Sequence, residues 1–318
     1  THPTGHVSVG GNSPMYMQVD VPMARPPVAN WLLIAVNTIV TLALFAADSK
    51  FERSRARGAQ FPEDPEVERQ LDDPRVPEAR KQQLEAQEEK RFAEWEAANA
   101  GRDEPPSHHY ALRADRKDFH VWQLITYQFV HGNFLHLLGN MLFLFCFGNA
   151  VNAKIGQGLF LGLYLLLGAI AGVGWLVLGS AVPLVGASGA IMGITGLFLV
   201  LYPLNEIAVW TFRSVIYTGD AWRFPSWVFI AFYMALDLFG TVFDRNTGGG
   251  GVAYICHLVG AFAGIAFGCA LVAARWVTSD RGEQNLLEAM GMIEEPKPRR
   301  RKRRRPKPPP PPNPVPDL

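Results

Sequence analysis

From Ile155 to Asn205 the chain runs for about fifty residues without one Asp, Glu, Lys or Arg, more than twice the ~20 apolar residues that carry a helix across a bilayer core. Soluble domains do not leave so long a stretch uncharged, so the starting reading is a polytopic membrane protein. Whole-chain composition conceals this. With 48% hydrophobic residues, 30 Lys+Arg and 29 Asp+Glu among 318, the chain looks ordinary only because two charged segments dilute a very apolar remainder. That distribution excludes a soluble enzyme and a disordered scaffold, and the formal +1 gives no global argument for a nucleic-acid partner. The three cysteines, Cys146, Cys256 and Cys269, all lie in apolar stretches without CxxC spacing and read as small buried residues.

Charge punctuates the rest. Residues 1–27 are rich in Pro and Gly and read as a flexible lead; the chain opens at Thr1 without an initiator Met, so its natural start is expected upstream. Val28–Ala47 is a first span, closed by Asp48. Residues 48–118 mix both signs, with Pro62, Pro65, Pro74 and Pro77 breaking the first half and a helix-forming run from Glu78 in the second, and form an extramembrane loop. Residues 119–275 hold the remaining spans: a second before Lys154, a third and fourth separated by a turn at Pro183, a fifth over Ser226–Phe243, and a sixth over Val252–Ala274. The expected fold is therefore all-α, a polytopic membrane bundle of six transmembrane helices. Residues 276–318 form a basic and proline-rich tail, with RRRKRRR at 299–305 and polyproline at 308–312. The basic block marks the cytoplasmic side and a contact with anionic lipid. An even number of spans puts both termini there and turns the 48–118 loop outward, which suits a multi-pass protein of the cell membrane.

Polar residues inside spans are costly and point to function. Gly186-Ala187-Ser188-Gly189 places a serine at the outer mouth of the fourth span, a pattern that serves helix packing as readily as catalysis. His257 is followed by Gly260, Gly264 and Gly268, and the fourth span offers a matching strip at Gly189, Gly193 and Gly196. Glycine faces allow close backbone approach. If the two strips meet, Ser188 and His257 lie at similar depth, where a histidine can take the serine proton; a structural histidine is the alternative. His136 and Asn140 are one helical turn apart beyond His131, and their donors could hold an oxyanion. No HExxH occurs to suggest zinc. Asp237 is the lone carboxylate of the fifth span and reads as a structural hydrogen-bonding group.

This constellation resembles the rhomboid intramembrane serine proteases, whose pattern is His-x4-His-x3-Asn on the second span, GxSG opening the fourth, and His with spaced glycines on the sixth. Here these are His131, His136 and Asn140; Gly186 to Gly189; and His257, Gly260 and Gly264. Trp122 and Asp237-Leu-Phe-Gly240 also look like family features, and the likeness covers about Phe119 to Ala274. The resemblance implies a Ser188–His257 dyad without a third acid, and an oxyanion hole from His136, Asn140 and the Ser188 backbone N–H. It implies no cofactor or metal. Substrates would be membrane proteins whose spans unwind near the outer interface and enter beside the fifth span, with Gly248–Gly251 as a mobile cap.

Three departures stand out. Asn152 replaces an acidic residue found in many relatives and Gln123 an arginine found in some, which puts anchoring of the first loop in doubt. Met192 stands where an aromatic ring often stacks on the catalytic histidine, and a thioether orients an imidazole less rigidly. Two other classes compete. A non-proteolytic rhomboid-like client binder typically lacks the serine or histidine, and both are present. A transporter would show paired polar groups at mid-membrane in internal repeats, and no repeat is visible. The Met192 departure yields the first prediction: Met192→Tyr raises turnover of a membrane substrate, and unchanged or lower turnover in a cleavage assay refutes it.

Overall fold

The computed structural model describes residues 17–19, 21, 25–58, 64–99, 104–113, 119–178, 182–209, 221–247, 253–280 and 283–294. Its bundle consists of α1 (Val28–Gly58), α2 (Phe134–Ile155), α3 (Gln157–Leu178), α4 (Ser188–Leu201), α5 (Ser226–Thr247) and α6 (Tyr254–Ala273). Among the described residues, α1, α2, α3 and α6 are long and apolar enough to cross a membrane. The chain is thus a multi-pass membrane helix bundle. With 14 residues, α4 is about 21 Å long at 1.5 Å per residue, short of the ~30 Å hydrocarbon core. It tolerates this because it is sheathed by protein: nearly every residue from Gly189 to Leu201 is buried, between α2, α3 and α6.

The glycine strips read from the sequence do meet. A Cβ on Gly260 would lie 2.2 Å from the Gly189 carbonyl oxygen, one on Gly264 1.8 Å from the Gly193 oxygen, and one on Gly196 2.2 Å from the Ala261 oxygen. α4 and α6 therefore touch backbone to backbone, which only hydrogen side chains permit.

A second determinant lies at the other end of the bundle. Within α2 the residues Leu144–Gly148 form a π turn, and Asn30 of α1 fills the opening. Its Nδ2 donates to the Leu144 carbonyl and to Asn149 Oδ1, both at 2.8 Å, and its backbone N–H donates to Asn152 Oδ1 at 3.1 Å. Gly148 makes room, since a Cβ there would fall 2.4 Å from Asn30 Oδ1. Asn152 thus anchors through a neutral bond. At the outer end, Gln123 is buried, accepts from the His120 N–H at 3.1 Å and donates to the His109 carbonyl at 3.4 Å. Both departures from the family pattern are therefore hydrogen-bonded anchors.

Three features differ from the sequence reading. First, α1 does not stop at Ala47 but continues to Gly58, and at 31 residues is about 46 Å long, so it projects beyond the bilayer. There Asp48 Oδ1 accepts from the Ser107 N–H at 3.0 Å. The loop also carries helices Pro65–Asp72, Glu78–Asn99 and Pro106–Tyr110. Second, the helical fold carries one small antiparallel sheet in the order β1 (Met17–Val19), β2 (Glu206–Val209), β3 (Trp222–Pro225), with Gln18 opposite Ala208 and Ile207 opposite Phe224. Part of the lead, read as flexible, is thereby pinned. Third, the start of the tail is folded onto the bundle. Lys154 Nζ bonds Asp280 Oδ2 at 2.6 Å and Glu283 Oε2 at 3.3 Å, and the helix Leu286–Ala289 opens with a capping box between Asn285 and Glu288. The basic run 299–305, the polyproline run and the Gly248–Gly251 segment lie outside the described residues.

The glycine contacts generate a graded prediction. Gly264→Ala forces a methyl into the Gly193 backbone and should cost about 3 kcal/mol or prevent folding, while Gly268→Ala, which faces only Val200 and Leu197 side chains, should cost about 1 kcal/mol. Thermal unfolding in mild detergent checks it; equal effects would mean that α4 and α6 can part without penalty.

Candidate active site

The segment before α4 sets the serine. Leu184 exchanges two backbone hydrogen bonds with Leu112 of the outer loop, at 2.9 and 2.8 Å, and the Gly186 N–H donates to the Tyr127 carbonyl at 2.9 Å. Gly186 then turns the chain at φ 118°, a left-handed value that a side chain would strain, and α4 begins at Ser188. As the first residue of a helix, Ser188 has a backbone N–H with no partner in the preceding turn.

Gly186 also brings two motifs together. A Cβ on it would lie 2.7 Å from His136 Cε1, 2.8 Å from His136 Nε2 and 3.7 Å from Asn140 Nδ2. The imidazole and amide of α2 therefore border the turn that leads into Ser188. Asn133 starts α2 by accepting the His136 N–H at 2.8 Å, which accounts for Asn133 in the His131-Gly-Asn133 sequence. From that start His136 and Asn140 fall on one face. Asn140 is buried, and its Nδ2 donor has no partner among the described residues.

Behind His136 stands His131, with ring centroids 5.2 Å apart and planes at 71°. His131 is held in turn by α1: Thr41 Oγ1 lies 2.9 Å from His131 Nδ1 and 3.3 Å from the Phe129 carbonyl. With the Thr41 hydroxyl donating to that carbonyl, its oxygen accepts the His131 Nδ1 proton. Thr41 is fully buried, and nothing in its local sequence separates it from an ordinary threonine of an apolar helix. Only the folded pairing shows it.

On α6, His257 is half-buried and meets Tyr254 edge-on at 6.4 Å. Cys256, its neighbour, faces Gly189, where a Cβ would come 2.6 Å from the Cys256 sulfur. Gly189 is thus flanked by Ser188 in sequence and by the His257 turn in space. Met192 is buried one turn beyond Ser188, so a ring there must displace its neighbours as well as reach the histidine. Trp122 lies outside this group, its ring packing between His109 at 5.1 Å and His120 at 5.4 Å.

Asp237, read as a structural hydrogen-bonding group, makes its bond with the site's histidine, Oδ1 lying 3.1 Å from His257 Nδ1. Gly240 makes this possible by admitting the Tyr254 ring, which a Cβ would meet at 2.6 Å. Asp237 and Gly240 share one face of α5, and that spacing was the available signal.

Comparison with known proteins points to one family. Residues 118–274 match the family model described as Rhomboid domain. Rhomboid-like protein 11, chloroplastic, of Arabidopsis thaliana is 35% identical over 155 residues, covering 46% of this chain and 52% of that protein. A candidate rhomboid protease of Bacillus subtilis, YdcA, is 41% identical over 92 residues, 27% of this chain and 44% of its own. Rhomboid protein 1, mitochondrial, of Saccharomyces cerevisiae is 30% identical over 183 residues, 53% of this chain and 46% of its own. The chain spans about half the length of the relatives it matches.

Two substitutions separate site geometry from fold. Gly186→Ala should abolish fluorophosphonate labelling of Ser188 while the bundle still unfolds cooperatively, because strain and overlap fall on the turn and on His136. Thr41→Val keeps shape but removes the hydroxyl, and should slow labelling about tenfold at a stability cost near 1 kcal/mol. Labelling at the wild-type rate in Thr41→Val would mean that His131 needs no brace from α1.

Proposed function

The chain belongs to the rhomboid family through residues 118–274, and from that premise we propose that it is an intramembrane serine endopeptidase. It hydrolyses peptide bonds in or near transmembrane segments of membrane-protein substrates. Ser188 is the nucleophile and His257 the base. The oxyanion hole is formed by His136, Asn140 and the Ser188 backbone N–H. The observation that carries this reading is the open Asn140 Nδ2 donor beside Gly186, at the turn that delivers Ser188 to the start of a helix.

In the reaction the Ser188 oxygen attacks the scissile carbonyl as its proton passes to His257. The carbonyl oxygen gains negative charge where donors are already fixed in a low-dielectric setting, and they need no reorganisation. The histidine then gives its proton to the leaving amine, and water releases the acyl group by the same route. The half-burial of Ser188 and His257 suits a step that needs water within an apolar bundle.

In this reading the six bundle helices are the six membrane segments, α4 crossing together with the non-helical chain before it, the basic run 299–305 marks the cytoplasmic side with anionic-lipid contact, and the site opens on the opposite face of the cell membrane. Substrate spans reach it beside α5. That helix exposes Trp227, Phe232, Leu236, Leu238 and Phe239 along its flank, an apolar surface that suits lipid or a substrate helix.

Cleavage of a single-span substrate in liposomes tests the proposal. Ser188→Ala and His257→Ala should eliminate cleavage, and Asn140→Ala should lower kcat about 100-fold with little change in KM. If wild type cleaves none of several substrates and Ser188 resists fluorophosphonate, the chain is instead a client-binding member of the family.

A further inference from the structure

His257 has a hydrogen-bond partner that a two-residue site does not require. Asp237 is 4% exposed, places Oδ1 3.1 Å from His257 Nδ1, and leaves Oδ2 buried with no partner among the described residues. The contact is built in by packing. Gly240, one turn along α5, receives the Tyr254 ring, and Tyr254 in turn meets His257 edge-on. Glycine thus sets the α5–α6 separation at the carboxylate's reach.

Resting on the serine-protease reading above, we infer that Asp237 is the positioning residue for His257, orienting the imidazole of the Ser188–His257 pair through Nδ1 without taking part in the proton transfer. An ionised carboxylate only accepts, so Nδ1 must carry the neutral ring's proton and Nε2 is left bare to receive another. As the Ser188 Oγ–carbon bond forms, the hydroxyl proton moves to Nε2. The imidazolium then holds one proton on each nitrogen, with Nδ1–H still on Asp237 Oδ1. When the scissile C–N bond breaks, the Nε2 proton leaves with the amine and His257 returns to its neutral form. Water repeats the exchange to free Ser188, and Asp237 neither gains nor loses a proton.

Charge favours the same assignment. A buried carboxylate with one open oxygen is poorly compensated opposite a neutral imidazole and well compensated opposite an imidazolium. In this scheme the cationic ring forms as the serine proton arrives, so Asp237 stabilises the transition state more than the resting site.

The test uses the purified full chain in detergent with a single-span substrate, comparing wild type, Asp237→Asn, Asp237→Glu and Ser188→Ala on the folded fraction. For Asp237→Asn, kcat should fall about 100-fold or more while KM stays within about threefold. Fluorophosphonate labelling of Ser188 should slow in parallel. In 15N-histidine spectra the resonance pair of a protonated Nδ1 and bare Nε2 at His257 should be lost, and Asp237→Glu should recover part of both rate and signature. A lower melting temperature in Asp237→Asn with kcat and tautomer unchanged would reduce Asp237 to a brace between α5 and α6. Faster turnover would also overturn the inference, making Asp237 a restraint that holds the ring off the serine. Failure of the protease reading looks different: Ser188→Ala then matches wild type in cleavage and labelling, while the tautomer spectrum still decides whether Asp237 fixes His257.

Discussion

The backbone contact between α4 and α6 governs everything else in this bundle. Lipid chains are as apolar as leucine, so helices in a bilayer gain little from hiding hydrophobic surface and associate through close packing. Here three glycines put the carbonyls of Gly189, Gly193 and Ala261 where a methyl group would otherwise stand. Carbonyls this close to opposing Cα–H groups add weak hydrogen bonds and leave no freedom to slide. Register follows from that fit. Ser188 immediately precedes Gly189, His257 lies three residues before Gly260, and Gly189 and Gly260 face one another. Relative depth of serine and histidine is therefore a consequence of glycine packing, and their own side chains need not enforce it.

A second constraint concerns backbone that is not helical. Irregular chain within a bilayer is tolerated only where protein or water satisfies its polar groups. α4 is too short to cross alone, and the residues before it are not helical. Leu184 and Gly186 meet the requirement through Leu112 and Tyr127, and Tyr127 is itself tied to the Gly168 carbonyl through its hydroxyl at 2.7 Å. The outer loop is thus part of the site's support, since without Leu112 the turn that carries Gly186 would leave backbone groups unpaired. Long projection of α1 serves the same end, because Asp48 at its outer part holds Ser107, a few residues before Leu112.

Much of this was legible in residue order because it depends on periodicity. The glycines of α4 and α6 recur at helical spacing, His136 and Asn140 are one turn apart, and uncharged runs mark the spans. Other features carry no local signal. Met17–Val19 becomes a strand only because Ile207–Val209 is offered to it, and Lys154 reads as a span boundary until Asp280 and Glu283 return to meet it more than a hundred residues later. Thr41 is ordinary in sequence and gains its contact with His131 only in the fold. Asp237 shows the limit of counting: a lone carboxylate on the fifth span carries no sign of its partner, which is the histidine of another helix.

Buried polar groups at the two ends of the bundle differ in what would complete them. Around Asn30 the open atoms are an acceptor, Asn30 Oδ1, and a donor, Asn152 Nδ2, on two residues already joined by a hydrogen bond, so a small rotation within the network can pair them. Such a set is self-contained and serves to hold α1 in the π turn of α2. At the Ser188 end the open groups include Asn140 Nδ2, a donor, and Asp237 Oδ2, an acceptor, carried on different helices, with the Gly186 turn beside one and His257 beside the other. The first suits a developing oxyanion and the second a developing imidazolium, the two charges that peptide-bond attack by Ser188 would create together. Leaving each group open costs stability in the resting protein, on the order of 1–3 kcal/mol for a neutral donor, a cost that the proposed reaction would offset as both charges appear.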